Sequence, residues 1–238
     1  MSHLVLVLLL ATGLLAVARA HRPSALASAQ GTTYTCAGYV ALTFDDGPST
    51  NTPAVLNALR RTGLKATFFL VGRNVQAHPD IARLVVEAGM KVGNHTMDHA
   101  HLPTLSQAAM RQELTQTSAL IETTTGRRPA WFRPPFGETT PAVEATARGL
   151  GMTQVIWSRD TKDWAGRSVD DVVQVLSQVR PGDIVLMHDA QRTAVPALAR
   201  IAEVLRSRRL CSGQLDYSST AEPAWDGLTY HAIAGRWS

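Results

Sequence analysis

The chain has 238 residues, of which 45 % are hydrophobic and 18 % charged. That balance supports one domain of moderate size with a real core and excludes a disordered chain. The formal charge is +4, but Lys and Arg are scattered apart from clusters at Arg127–Arg128 and Arg206–Arg209. No basic stripe is interleaved with aromatics, so nucleic acid is not an expected partner; the excess reads as a solvated surface, with an acidic polymer as the alternative.

From Leu4 to Ala18 the chain is almost wholly apolar, a stretch shorter than the roughly 20 residues a membrane span needs. It ends in Ala18-Arg19-Ala20, a small-x-small cleavage pattern. Residues 1–20 therefore read as a secretory signal peptide, with an uncleaved anchor as the alternative. The expected product is extracellular and free of stable membrane association. Residues 21–35 read as a flexible leader. The only cysteines, Cys36 and Cys211, bracket the remaining domain. An exported chain can keep them paired, which would be worth roughly 4–5 kcal/mol in the chain-entropy picture; two separate buried thiols are the alternative.

After Cys36, β-rich runs alternate with helical stretches. Strands are expected at Tyr39–Phe44, Ala66–Leu70, Lys91–Gly93, Ala130–Arg133, Thr153–Trp157 and Asp183–Met187, with a seventh near the C-terminus. Helices are expected to start at Thr52-Pro53 (Thr52 as the cap), His78-Pro79, Ser106, Thr140-Pro141 and Ser168, and a last one covers Ala194–Arg208. This alternation implies an α/β fold with a mostly parallel sheet, as a barrel or an open doubly wound sheet. The tail, residues 213–238, is aromatic but aperiodic and is expected to pack over the barrel end.

In parallel α/β sheets functional groups gather beyond the C-terminal strand ends, and five unusual polar clusters sit there. Thr43-Phe44-Asp45-Asp46-Gly47-Pro48 comes with the end of strand one; of two adjacent carboxylates, one can bind metal while the other acts as a base. An ordinary Asp-Asp-Gly turn would look the same. His95-Thr96-Met97-Asp98-His99 follows strand three, and two histidines four apart can chelate one divalent ion. Thr96 stands where the helical zinc-protease pattern needs Glu. His101 reads as a packing or rim residue. Arg133-Pro134-Pro135-Phe136-Gly137 offers a guanidinium that can orient a carboxylate and a Phe136 N–H free to face an oxyanion. Asp160-Thr161-Lys162-Asp163-Trp164 is the fourth cluster. Leu186-Met187-His188-Asp189 is the fifth, and His188, closing the apolar strand Ile184-Val185-Leu186, suits a general acid if a carboxylate raises its pKa.

Taken in order, TFDDGP, HTMDH, RPPFG, DTKDW and LMHD resemble the five motifs of the polysaccharide deacetylases, the NodB-homology enzymes of carbohydrate esterase family 4, over residues 36–212. The stretch CAGYVALTFDDGPS, with LCSG near the end, is especially similar to family members acting on chitin or acetylxylan, and that similarity favours the Cys36–Cys211 disulfide. The resemblance implies a distorted (β/α)7 barrel with one Zn²⁺, or Co²⁺ or another divalent ion, held by Asp46, His95 and His99. It further implies Asp45 as general base, His188 as general acid, Arg133 orienting Asp45, and Trp164 walling the groove. A carboxylate of the fourth motif would pair with His188, with Asp163 preferred to Asp160. The expected enzyme is monomeric and acts on a carbohydrate polymer. The substrate stays open among chitin and its oligomers, peptidoglycan and acetylxylan. A serine esterase is the rival enzyme class, but no Gly-x-Ser-x-Gly elbow is present. A non-catalytic carbohydrate-binding relative is the other rival.

Overall fold

The structure, a computed structural model, describes residues 35–215 and the backbone of two short strands at 223–225 and 230–233. The expected signal peptide, leader and most of the tail lie outside the described residues. Among the described residues no helix is long and apolar enough to cross a membrane.

The elements follow in order: β1 Gly38–Gly47, α1 Thr52–Thr62, β2 Thr67–Leu70, α2 Gly72–Ala77, α3 Pro79–Glu87 and β3 Lys91–Asn94. Next come α4 Gln107–Thr125, β4 Trp131–Phe132, α5 Pro141–Arg148, β5 Thr153–Gln154 and β6 Arg159–Asp160. The series closes with α6 Val169–Ser177, β7 Ile184–His188, α7 Ala194–Ser207 and β8 Leu210–Gly213. Pro223–Trp225 (β9) and Tyr230–Ile233 (β10) form a separate antiparallel pair.

The main sheet runs β5-β4-β3-β2-β1-β7-β6, with β8 also paired to β1. All its pairs are parallel. Its two edge strands, β5 and β6, are consecutive in the chain. Residues 155–158 join those edges: the Val155 N–H donates to the Phe132 carbonyl and the Ser158 N–H to that of Ile184. The result is a curled sheet closed by a short link, in agreement with a distorted (β/α)7 barrel.

The link also corrects the expected strand Thr153–Trp157. A segment bonded to opposite sheet edges at its two ends cannot be one continuous strand, so β5 stops at Gln154 and Arg159–Asp160 starts afresh. A second correction concerns α1. Asn51 rather than Thr52 stands at its N-cap, with no side-chain capping bond; the Asn51 amide donates to the Asp189 carbonyl and the Thr52 hydroxyl to the Asp189 carboxylate. Elsewhere the expected caps form: Ser106 and Thr140 accept N–H groups of the first turn, and Ser168 makes a capping box with Asp171.

The two-residue pleat sorts the central strands. Val40, Leu42, Phe44, Phe68, Leu70, Val185 and Met187 join the helix-covered core. Ala41, Phe69 and Ile184 turn the other way, with Trp131, Val155 and Leu215. Continuing that alternation carries Thr43, Asp45 and His188 into the barrel interior. At one end of β1, Cys36 and Cys211 form the disulfide, closing 175 residues.

Asp183, at the start of β7, secures the closing link. It accepts from Ser158 Oγ at 2.7 Å, Arg159 Nε at 2.9 Å and the Arg180 N–H at 2.7 Å. Burial alone would raise its carboxyl, but these donors outweigh burial and hold it below the usual carboxylate range. Its contribution to stability is therefore full above the unfolded value of about 3.9 and is lost as pH falls below it. Asp183→Asn should lower unfolding free energy by roughly 1–3 kcal/mol at pH 7. In urea melts the deficit should shrink below about pH 4; an undiminished deficit at pH 3 would contradict this assignment.

Candidate active site

The sequence clusters meet in one cleft of about 330 Å³ at the C-terminal strand ends. Asp45, Asp46, His95, His99, Phe136, Asp160, Trp164 and His188 line it, joined by Trp157 and Leu186. Arg133 and Asp163 lie behind its wall, buried at 0 % and 3 % exposure, and act on it through the residues in front.

Asp46, His95 and His99 form a candidate metal site, their ligand atoms all within 4.8 Å of one another. Asp46 Oδ1 lies 3.2 Å from His95 Nε2 and 3.1 Å from His99 Nε2. It is buried, yet no donor is aligned with it as a hydrogen bond. His95 Nδ1 lies 2.7 Å from the Arg133 carbonyl. A carbonyl only accepts, so Nδ1 donates there and Nε2 is the nitrogen turned toward Asp46. Burial by itself would raise the Asp46 carboxyl; the two imidazoles and His188 outweigh burial and hold it well below the usual carboxylate range. A carboxylate and two imidazoles converging around an orphaned buried oxygen suit a divalent ion with open positions.

Asp45 stands beside this group. Its Oδ1 accepts from Arg133 Nη1 at 2.7 Å, and its Oδ2 lies 3.8 Å from His95 Nε2. Arg133 also donates to Thr43 Oγ1 at 2.7 Å and the Val155 carbonyl at 3.3 Å, and its guanidinium lies 4.2 Å from the Phe69 ring centroid. Thr43 in turn donates to the Val185 carbonyl at 2.6 Å. One side of Asp45 is thus anchored and the other is presented to the cleft.

Asp45 is in register with His188 across β1 and β7. Of the two candidate carboxylates in the fourth cluster, Asp163 reaches this histidine: Oδ1 lies 2.8 Å from His188 Nδ1, and Oδ2 accepts the His188 N–H at 2.8 Å. Asp160 instead accepts the Lys162 N–H at 2.8 Å and lines the cleft. Burial would lower the His188 pKa, but the Asp163 hydrogen bond and the charges of Asp45, Asp163 and Asp46 push it up to about 9. With Nδ1 given to Asp163, Nε2 is the nitrogen left to face the cleft.

Phe136 has φ 61° in a tight turn. The next two N–H groups, of Gly137 and Glu138, donate to Pro134 and Pro135 carbonyls; that of Phe136 has no backbone acceptor among the described residues. Gly137 has φ +70°, and a Cβ there would lie 2.9 Å from the Trp157 ring, so this turn needs glycine. The Phe136 ring stacks on His101 at 4.1 Å and meets His99 edge-on at 4.5 Å. His101 is a rim residue, paired with Glu138 at 2.9 Å. Phe136 and Trp164 are the exposed aromatics of the cleft, at 53 % and 56 %.

Several contributors have no role of their own in the sequence reading. Thr43 and Trp157 are ordinary strand and link residues whose roles arise only when the barrel closes. Asp189 belongs to LMHD, a pattern that gives it no role. It is fully buried, and its carboxyl, pushed up to about 6 chiefly by burial, binds Thr52 beneath the first turn. Residues 71–74, after β2, hold no carboxylate or imidazole, although the strand-end rule points to them as much as to the others.

Residues 33–155 match the polysaccharide deacetylase family. The bifunctional xylanase/xylan deacetylase of Cellvibrio japonicus is 36 % identical over 183 residues, 76 % of this chain but only 28 % of that protein. A chitooligosaccharide deacetylase from Bradyrhizobium sp. is 42 % identical over 153 residues, 63 % of this chain and 70 % of the relative. Among solved structures, a family 4 carbohydrate esterase from Streptomyces lividans in complex with acetate superposes with a TM-score of 0.75 at 43 % identity. That superposition covers 76 % of this chain and 95 % of the other. The family match spans the first three clusters; Asp163 and His188 lie beyond it and join the site through the fold.

Removing the Arg133 guanidinium would leave the Asp45 carboxylate buried without its cation. Arg133→Ala should cost roughly 3–5 kcal/mol of unfolding free energy, measured by denaturant titration. A loss under about 1 kcal/mol would show that Asp45 does not depend on this pair.

Proposed function

The chain belongs to the polysaccharide deacetylase family, and we propose that it is a secreted, monomeric enzyme that hydrolyses the N-acetyl amide of N-acetylglucosamine polymers, namely chitin or its oligomers. The observation that carries this reading is the register pairing of Asp45 with His188 beside the Asp46–His95–His99 group, all open to one cleft. One chain supplies the proposed base, the proposed acid and all three candidate ligands.

Asp46, His95 and His99 would hold the divalent ion, Zn²⁺ or Co²⁺. When bound, such an ion supplies Lewis acidity toward the acetyl carbonyl and makes water more acidic. Asp45, fixed by Arg133, takes a proton from the attacking water as general base. The Phe136 N–H, which has no backbone acceptor among the described residues, would stabilise charge on the former carbonyl oxygen. His188, kept protonated by Asp163, gives its Nε2 proton to the leaving sugar nitrogen. Water and the amide become acetate and a free amine. Trp164 and Phe136 wall the groove for the sugar chain, since exposed aromatic faces suit the apolar faces of pyranose rings.

A second reading, ester hydrolysis on acetylxylan, uses the same groups with a leaving hydroxyl. It draws support from the similarity to a relative whose name includes xylan deacetylase. A purely carbohydrate-binding role is disfavoured, because the base, the acid and all three candidate ligands are present together.

Acetate release from chitin oligomers, peptidoglycan and acetylxylan tests these readings directly. The expected outcome is greatest release from chitin oligomers, abolished by a chelator and restored by Zn²⁺ or Co²⁺. Dominant release from acetylxylan would replace the amide reading with the ester one. Asp45→Ala and His188→Ala should each reduce turnover roughly 10²–10⁴-fold. Near-normal turnover in both variants would overturn the proposed acid and base.

A further inference from the structure

The candidate ligands come from two loops that do not touch in the sheet. Asp46 closes β1, His95 and His99 follow β3, and β2 lies between those strands. The spacing of the site therefore depends on the chain leaving β2, residues 71–74, which passes between the two loops.

Four bonds tie that segment to both sides. The Val71 N–H donates to the Gly47 carbonyl at 2.8 Å, and Asn74 Nδ2 donates to the Asp46 carbonyl at 2.7 Å. On the other side the Gly72 N–H donates to the Thr96 carbonyl at 2.9 Å and the Arg73 N–H to that of Met97 at 3.0 Å. The approach is close enough to require glycine: a Cβ on Gly72 would lie 2.5 Å from Met97 Sδ and 3.1 Å from Met97 Cα. From α4, Glu113 Oε2 accepts the consecutive N–H groups of Met97 and Asp98 at 2.9 and 3.0 Å. Those two residues lie between the histidines.

The loops need such restraint. Asp46, Thr96 and His99 all have left-handed backbones, with φ of 69°, 66° and 56°. Each costs about 1–3 kcal/mol and persists only when its surroundings hold it. The carbonyl that Asn74 holds belongs to a strained residue that is itself a candidate ligand. The N–H groups that Glu113 holds lie between two strained residues, one of them a candidate ligand.

We infer that Asn74 and Glu113 are positioning residues for the cation: Asn74 fixes Asp46 through its carbonyl, and Glu113 fixes the His95–His99 loop through its amides. Neither touches the reacting atoms. Both set the ligand geometry before the ion arrives, so their loss should weaken ion binding more than it weakens the fold. This rests on the cation reading of the site given above, and its test needs no substrate.

The measurement is Zn²⁺ affinity by competition titration against a chromogenic chelator, alongside thermal unfolding of the metal-free protein. Asn74→Ala and Glu113→Ala should each weaken Zn²⁺ binding about 10–100-fold, the range typical for groups that orient ligands, while the metal-free protein keeps a cooperative transition. Glu113→Gln keeps an acceptor oxygen and should bind within about 3-fold of the parent. Asn74→Asp keeps the shape but lacks the donor and should bind at least as weakly as Asn74→Ala. Parent-like affinity in both alanine variants overturns the inference. If an alanine variant loses its metal-free transition, the conservative pair decides, and equal affinities for Asn74→Asp and Glu113→Gln overturn it. A parent protein that binds no Zn²⁺ would instead overturn the cation reading itself.

Discussion

The pairing of Arg133 with Asp45 is the constraint around which the barrel is arranged. A guanidinium cannot shed its charge in a protein, and burying it without partners is prohibitive. The interior must therefore provide acceptors at this one place. Asp45 and Thr43 provide them from β1, and Val155 provides a carbonyl from the closing link. Phe69 and Trp157 flank the guanidinium. The same residues that bond the Nε and Nη1 groups of the cation thereby draw β1, β4 and the link together, so the architecture at this end and the orientation of the carboxylate have one cause.

Two sides of the cleft are built by different means. On the Asp45–His188 side, regular strands do the placing: pleat and register decide which side chains point inward, and the buried Asp163 carboxylate raises the His188 pKa. On the Asp46–His95–His99 side, strand ends give way to left-handed turns, and the backbone is held by hydrogen bonds from α2 and α4. Geometry that a pleated strand cannot offer is reached there at the expense of local strain.

This division explains what could be read from the sequence. The strand-end carboxylates and imidazoles were legible, because a parallel sheet gathers its chemistry at one end and their residue types announce it. The parallel α/β class and most helix starts were legible from alternation and caps. The end of β5 was not, since Val155 and Trp157 look like strand residues until both sheet edges exist. Thr52 looked like a cap because its sequence neighbourhood is right for one, whereas Asp189, far along the chain, claims its hydroxyl. The choice between Asp160 and Asp163 required the turn after Lys162, whose φ of 54° brings Asp163 back under His188. Asn74 and Glu113 act through other residues' backbones, and no residue pattern encodes that.

The Cys36–Cys211 bond has a mechanical consequence. It joins the start of the described domain to the strand that ends it, beside the β1–β8 ladder. Tension applied to the chain on either side of this pair passes from sulfur to sulfur and bypasses the 175-residue loop. Once Ser212–Leu215 have peeled from β1 and β2, the loop between the cysteines carries none of that load. A machine that unravels proteins by pulling on an end would meet this covalent link before it reached the first ligand loop.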